Sequence, residues 1–175
     1  EDLRSAGMVS RERRRELARK AFAATAAYDG MIADWLGGNE GGFGRTMHRQ
    51  WHLVQTLRYG ENPHQRAAFY RDPDAAGATI ATARVVQGKE LSYNNIIDAD
   101  AALQLVLEFE EPACVAVKHT NPCGAAVADA PLAAFRKAKL CDPVSIFGGI
   151  VAFNREVDEA TANEMKDVFL EIVIA

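Results

Sequence analysis

At 175 residues, 49% hydrophobic and 25% charged, the chain has the composition of a soluble globular protein long enough to bury one core with an appendage, which excludes a disordered chain. The formal charge of -4 supplies no global basic field, so nucleic acid is not an expected partner, and no signal peptide or membrane-spanning run is visible. Three cysteines without paired spacing argue against a disulfide framework and fit a reducing cytoplasm.

In chain order, Ser10 caps a long helix. Along it Leu17, Ala21, Phe22, Thr25, Tyr28, Ile32 and Trp35 recur at three- and four-residue steps, a face that calls for a packing partner. The basic run Arg11 to Lys20 alternates with Glu12 and Glu16 and reads as a solvated helix face. The helix ends at Gly37-Gly38, and the glycine-rich residues 39–44 mark a join between two units at residues 37–50. Residues 52–57 read as a strand closed by the turn Tyr59-Gly60-Glu61-Asn62-Pro63, and residues 67–70 and 79–86 as further strands.

From there strand and helix patterns alternate. Asp98 caps a helix to about Glu108, residues 113–117 form a buried strand, and Pro131 opens a helix to Leu140. Residues 149–153 are strand-like, Asp158 caps a helix to about Phe169, and the closing apolar run is another strand. This alternation predicts an α/β fold with a largely parallel sheet covered by helices. The chain begins without Met and stops at Ala175 inside an apolar run, so it is expected to be part of a longer protein.

The chemistry centres on Lys118-His119, where the run Ala113-Cys114-Val115-Ala116-Val117 gives way to the turn Thr120-Asn121-Pro122-Cys123-Gly124. Ligands of α/β sheets collect at the carboxyl ends of strands. An imidazole takes and returns a proton near neutral pH, and a neighbouring ammonium polarises a carbonyl oxygen. By itself the pair also reads as a surface dipeptide at a loop start; the surrounding clusters weigh against that. Phe147-Gly148-Gly149 and Asn121-Pro122-Cys123-Gly124 are glycine turns that let a ligand approach the backbone. Arg58 can grip a phosphate and Tyr59 can pack on a base, so with Leu91-Ser92-Tyr93-Asn94-Asn95 between them these clusters describe a pocket for a phosphorylated heterocycle.

Four stretches in order carry a family resemblance. They are Leu57-Arg58-Tyr59-Gly60-Glu61-Asn62-Pro63-His64-Gln65, Leu91-Ser92-Tyr93-Asn94-Asn95-Ile96-Ile97-Asp98-Ala99, Val117-Lys118-His119-Thr120-Asn121-Pro122-Cys123-Gly124 and Asp142-Pro143-Val144-Ser145-Ile146-Phe147-Gly148-Gly149. Together they resemble the bifunctional enzymes of de novo purine synthesis that join 5-aminoimidazole-4-carboxamide ribonucleotide (AICAR) formyltransferase to IMP cyclohydrolase. The resemblance implies that residues 1–36 are the C-terminal helix of a cyclohydrolase domain and 37–50 a glycine-rich linker. Residues 51–175 are then the N-terminal part of a formyltransferase domain with a cytidine-deaminase-like layered sheet and helices, incomplete in this chain.

By the same resemblance His119 is the general base that deprotonates the AICAR amine, and Lys118 orients the reactants and stabilises the oxyanion. Arg58 binds the nucleotide phosphate with Tyr59 beside it, while Asn95 and the backbone at Gly148 line the imidazole carboxamide. The implied co-substrate is formyltetrahydrofolate, with no catalytic metal, and the implied assembly is a homodimer with the site at the subunit interface. Cyclohydrolase residues are expected upstream of Glu1, and the stretch Met47-His48-Arg49-Gln50-Trp51-His52 is a departure to which the resemblance attaches no function.

Two rivals bear comparison. Pro122-Cys123 resembles half of the zinc signature of nucleobase deaminases, but Ala126 stands at the second cysteine position and Asn121 at the glutamate position. The other rival is a non-catalytic fragment acting only as a structural or dimerisation module.

Overall fold

The computed structural model describes Arg4, residues 7–38 and residues 44–175, and the chain divides into two units, Glu1–Trp51 and His52–Ala175. The glycine-rich residues 39–43 lie outside the described residues.

In the first unit, helix α1 spans Arg11–Gly38. Ser10 Oγ accepts the backbone N–H of Arg13 at 3.1 Å, the cap that its position before the helical run predicts. Glu16 is paired with both Arg13 (2.7 Å) and Lys20 (2.9 Å), so the basic run is a solvated face laced by pairs at helical spacing. The periodic apolar face differs from expectation. Phe22 is 76% and Trp35 66% exposed, and Gly30 is the only buried residue of α1 among those described. At Gly30 the ring-bearing carbon of His48 sits so close that a Cβ there would meet it at 3.0 Å. His48 is tied to α1 through Asp34, whose carboxylate accepts the His48 backbone N–H (3.0 Å) and lies 2.9 Å from its Nδ1. These bonds hold the Asp34 carboxyl below its ordinary range.

The second unit opens with an antiparallel hairpin of β1 (His52–Leu57) and β2 (Ala67–Arg71). The turn between them is closed by Gly60 N–H to Gln65 O and Gln65 N–H to Asn62 O, both 3.0 Å. Residues 79–86, expected as a strand, instead hold one 3₁₀ turn, Ile80–Thr82, followed by irregular chain. The Thr79 and Thr82 side chains hydrogen-bond each other at 2.9 Å, and Thr82 Oγ1 donates to the Thr79 carbonyl, a local closure that competes with strand pairing.

Helix α2 spans Tyr93–Leu107 and starts earlier than Asp98. Ser92 Oγ accepts from Asn95 N–H while Asn95 Oδ1 accepts from Ser92 N–H, a reciprocal capping box that satisfies two amide donors at the helix start. Strand β3 (Ala113–Lys118) follows, then β4 (Asn121–Val127), where a turn was expected. The remaining elements are α3 (Pro131–Cys141), β5 (Gly149–Phe153), α4 (Glu159–Met165) and β6 (Leu170–Ile174). Pro131 sits in the first turn of α3, and Asp158 caps α4 by accepting Thr161 N–H at 2.7 Å. Helix α4 stops at Met165, short of Phe169.

The sheet order is β4-β3-β5-β6. β3 runs antiparallel to both β4 and β5, and only β5 and β6 are parallel. The sheet is therefore mixed rather than largely parallel, because β3 turns straight back into β4 instead of crossing over through a helix. The α/β character stands, with both faces of the sheet covered. Ala113, Val115 and Val117 of β3 pack with Ala99, Ala102 and Val106 of α2. The alternate residues Cys114 and Ala116 pack with Ala134, Phe135 and Ala138 of α3. Burial of Phe135, which is wholly enclosed, contributes about 1.5–3 kcal/mol by transfer alone.

Gly124 of β4 has a packing role. A Cβ built there would overlap the carbonyl oxygen of Ala138, so the backbone that approaches this glycine is that of α3 and not of a ligand.

Candidate functional site

Strand β3 ends at Lys118, which pairs with Asn121 at the start of β4, leaving His119-Thr120 as a two-residue hairpin loop. Both loop residues have positive φ, +52° and +61°, the pattern of a type I′ turn that usually carries asparagine and glycine. A left-handed conformation costs a side-chain-bearing residue about 1–2 kcal/mol, and a β-branched threonine there is a true outlier. Three hydrogen bonds oppose that strain. Thr120 N–H donates to Asp98 Oδ1 of α2 at 2.8 Å. Thr120 Oγ1 and Asn121 Nδ2 both donate to the carbonyl of His119, at 2.7 and 2.8 Å. At about 0.5–1.5 kcal/mol each, three such bonds are of the size needed to hold the turn. The imidazole of His119 is exposed and has no hydrogen-bond partner among the described residues.

The antiparallel pairing of β3 with β5 brings the end of one to the start of the other. Lys118 Nζ donates to the carbonyl of Phe147 at 2.7 Å. The next residue, Gly148, has φ +68° and donates its N–H to Phe169 O at 2.7 Å. A Cβ on Gly148 would stand 3.9 Å from Lys118 Nζ and 3.8 Å from the Phe169 ring, so the glycine keeps open the space beside the ammonium. Phe147 and Phe169 meet at 5.4 Å between ring centroids and remain 62% and 59% exposed, an aromatic wall beside a cation. Asp142 sets the preceding turn by accepting the N–H groups of Ser145 (2.9 Å) and Val144 (3.1 Å), which hold its carboxyl below the ordinary range.

Lys118 and Gly148 thus come together, with His119 following Lys118 in the hairpin loop. Asn95 lies one turn of α2 before Asp98, on the same side of the helix. Its side chain is already engaged, with Oδ1 in the capping box and Nδ2 donating to Glu171 Oε2 of β6 at 2.7 Å. Arg58 and Tyr59 occupy the β1–β2 turn, the guanidinium 4.9 Å from the centre of the Tyr59 ring and its Nη2 donating to the phenol oxygen at 3.3 Å. Among the described residues no hydrogen bond, ion pair or ring contact joins that turn to Lys118, His119 or Gly148. The β1–β2 hairpin does reach the chain before α2, through Gln55 Nε2 to Leu91 O at 3.3 Å.

The model for the AICARFT/IMPCHase bienzyme family matches residues 1–175. The chain belongs to that family. It is 57% identical to the bifunctional purine biosynthesis protein PurH of Anoxybacillus flavithermus over 176 residues, covering 100% of this chain and 34% of that protein. The PurH proteins of Halalkalibacterium halodurans and Bacillus cereus are 55% and 53% identical, each over 99% of this chain and 34% of their own length. The chain spans about a third of the length of the curated relatives it matches.

Within this member of the AICARFT/IMPCHase family, the sequence does not announce the contacts that Asp98, Asn121 and Phe169 make around Lys118-His119 and Gly148. Asp98 reads as a helix cap, and only the hairpin shows that its carboxylate serves the loop amide of Thr120. Cys123, the residue behind the zinc comparison, donates its Sγ to Ala116 O at 3.5 Å, and burial pushes its thiol up. No group of three or more histidine, cysteine, aspartate or glutamate side chains suited to a metal occurs among the described residues.

Proposed function

We propose that this chain carries part of the formyl-transfer site of a bifunctional purine-biosynthesis enzyme. The site takes AICAR as acceptor and formyltetrahydrofolate as donor, and the IMP cyclohydrolase residues lie outside the chain. The observation that carries the reading is the Lys118–Phe147 contact, which sets an ammonium beside the open backbone of Gly148; the residue after Lys118 is His119, whose imidazole is unengaged among the described residues.

In the proposed step the AICAR amine attacks the formyl carbon and a C–N bond forms. His119 takes the amine proton, and Lys118 stabilises the charge that develops on the formyl oxygen. The bond from the formyl carbon to the folate nitrogen then breaks, and that nitrogen regains a proton. Phe147 and Phe169 offer a surface for a flat ring, Asn95 and Gly148 line the carboxamide, and Arg58 with Tyr59 serves the phosphate. In this reading residues 1–36 close a cyclohydrolase domain, 37–50 join it to the next, and 51–175 begin a transferase domain of cytidine-deaminase-like layering. The protein works in the cytoplasm as a homodimer whose partner subunit completes the site. No helix among the described residues is long and apolar enough to cross a membrane.

The test is His119→Ala in the intact protein, assayed for both activities. Formyl transfer is expected to fall by about 10²–10⁴-fold while cyclohydrolase activity persists. Formyl transfer near the wild-type rate would remove His119 as the base.

A further inference from the structure

We infer that Asp98 is a positioning residue for His119, acting through the backbone of the loop rather than on the substrate; this rests on the formyl-transfer reading above. Asp98 lies in the second turn of α2, where aspartate is a poor helix former and is too far in to cap it. Among the described residues it has no ion pair, and its side chain bonds only the amide of Thr120, at 2.8 Å.

That amide belongs to the second of two consecutive side-chain-bearing residues with positive φ. A loop without glycine relaxes toward other turn geometries unless something outside it holds the peptide. The other two bonds to the loop, from Thr120 Oγ1 and Asn121 Nδ2 to the His119 carbonyl, are internal to the hairpin and turn with it. Asp98 supplies the external reference, fixing the loop to α2. Helix α2 is in turn anchored against β3 and β5 through Ala99, Ala102 and Val106. The direction of the His119 side chain is therefore referred to the core, as a base acting on a bound amine requires.

The test uses the intact protein and steady-state formyl transfer, with His119→Ala run alongside. Asp98→Ala should lower kcat by about 10–100-fold, the cost of misplacing a catalytic group, with the AICAR KM changed by less than about threefold. Asp98→Asn keeps an oxygen able to accept the amide and should restore kcat to within about threefold of wild type. Thr120→Gly relieves the strain that the bond opposes, so adding it to Asp98→Ala should recover most of the lost rate. If Asp98→Ala does not fold, Asp98→Ser, too short to reach the amide, takes its place.

An Asp98→Ala rate near wild type with His119→Ala inactive would overturn the positioning role and leave the base assignment standing. Asp98→Asn as slow as Asp98→Ala, or no recovery with Thr120→Gly, would also overturn it. An active His119→Ala variant would remove His119 as the base, and with it the reading on which the positioning role rests.

Discussion

Lys118 on β3 donates its ammonium to the carbonyl of Phe147 at 2.7 Å, joining two motifs 29 positions apart in sequence. The contact exists because β3 and β5 run antiparallel, so that the end of the first faces the glycine turn leading into the second. Replacing Lys118 by Met keeps most of the stem and removes the charge. In the intact protein formyl-transfer kcat is expected to fall by about 10²–10³-fold, the usual loss for one oxyanion-stabilising group, with a smaller change in AICAR affinity. Kinetics together with direct binding measurements would check this, and a kcat within a few-fold of wild type would discard the oxyanion role.

Gly124 and Gly148 differ in kind, and alanine separates them. Gly124→Ala drives a methyl into the Ala138 carbonyl and should force α3 off β4, at a cost of about 3 kcal/mol or more. Gly148→Ala meets nothing closer than 3.8 Å and bears only the left-handed backbone, about 1–2 kcal/mol. It also fills the space beside Lys118, so its effect on kcat should exceed what its stability loss implies. Denaturant unfolding of both variants would reverse this ordering if Gly124 were merely a turn residue.

The three thiols should react in order of exposure. Cys141 is exposed, Cys123 is half-buried with its thiol pushed up by burial, and Cys114 is fully buried with its pKa pushed up to about 12. A thiol reagent at neutral pH is expected to label Cys141 first, Cys123 more slowly, and Cys114 only on unfolding, since the thiolate is the reacting form. Mass spectrometry of timed samples reads the order; early labelling of Cys114 would contradict the packing of β3 against α3.

The Asp158 cap gives a pH signature. The hydrogen bond from the Thr161 amide helps hold the Asp158 carboxyl below its ordinary range. A depressed folded-state value means that its contribution is complete at neutral pH and is lost as pH falls from about 4 through the lowered value. Asp158→Asn can still cap but does not titrate, so the loss of thermal stability between pH 6 and pH 3 should be smaller than in wild type. An unchanged difference would show that the cap contributes nothing to acid sensitivity.

Much of the fold is legible in local signals. Ser10, Pro131 and Asp158 mark helix starts because each satisfies or removes an orphan amide within its own turn. The wholly apolar runs at residues 113–117 and 149–153 mark strands buried on both faces. The β3–β4 hairpin was hidden because His119-Thr120 carries none of the glycine or asparagine that announces a two-residue turn, and with it went the antiparallel sheet. The start of α2 was misplaced because Ser92 and Asn95 cap reciprocally across residues that otherwise read as loop. Residues 79–86 carry strand formers whose side-chain hydrogen bonds close a tight turn instead.

The sequence by itself determined the family, the α/β class, the caps at Ser10 and Asp158 and the prominence of Lys118, His119 and Gly148, since these rest on residue identity and on contacts a few positions apart. Only the tertiary structure decided the strand directions, the meeting of Lys118 with Phe147, the use of Gly124 for packing and the engagement of Asp98 with the strained loop. Those relations join segments separated by many residues. Their energy comes from packing and from bonds that exist only once the core is closed, and no local propensity encodes them.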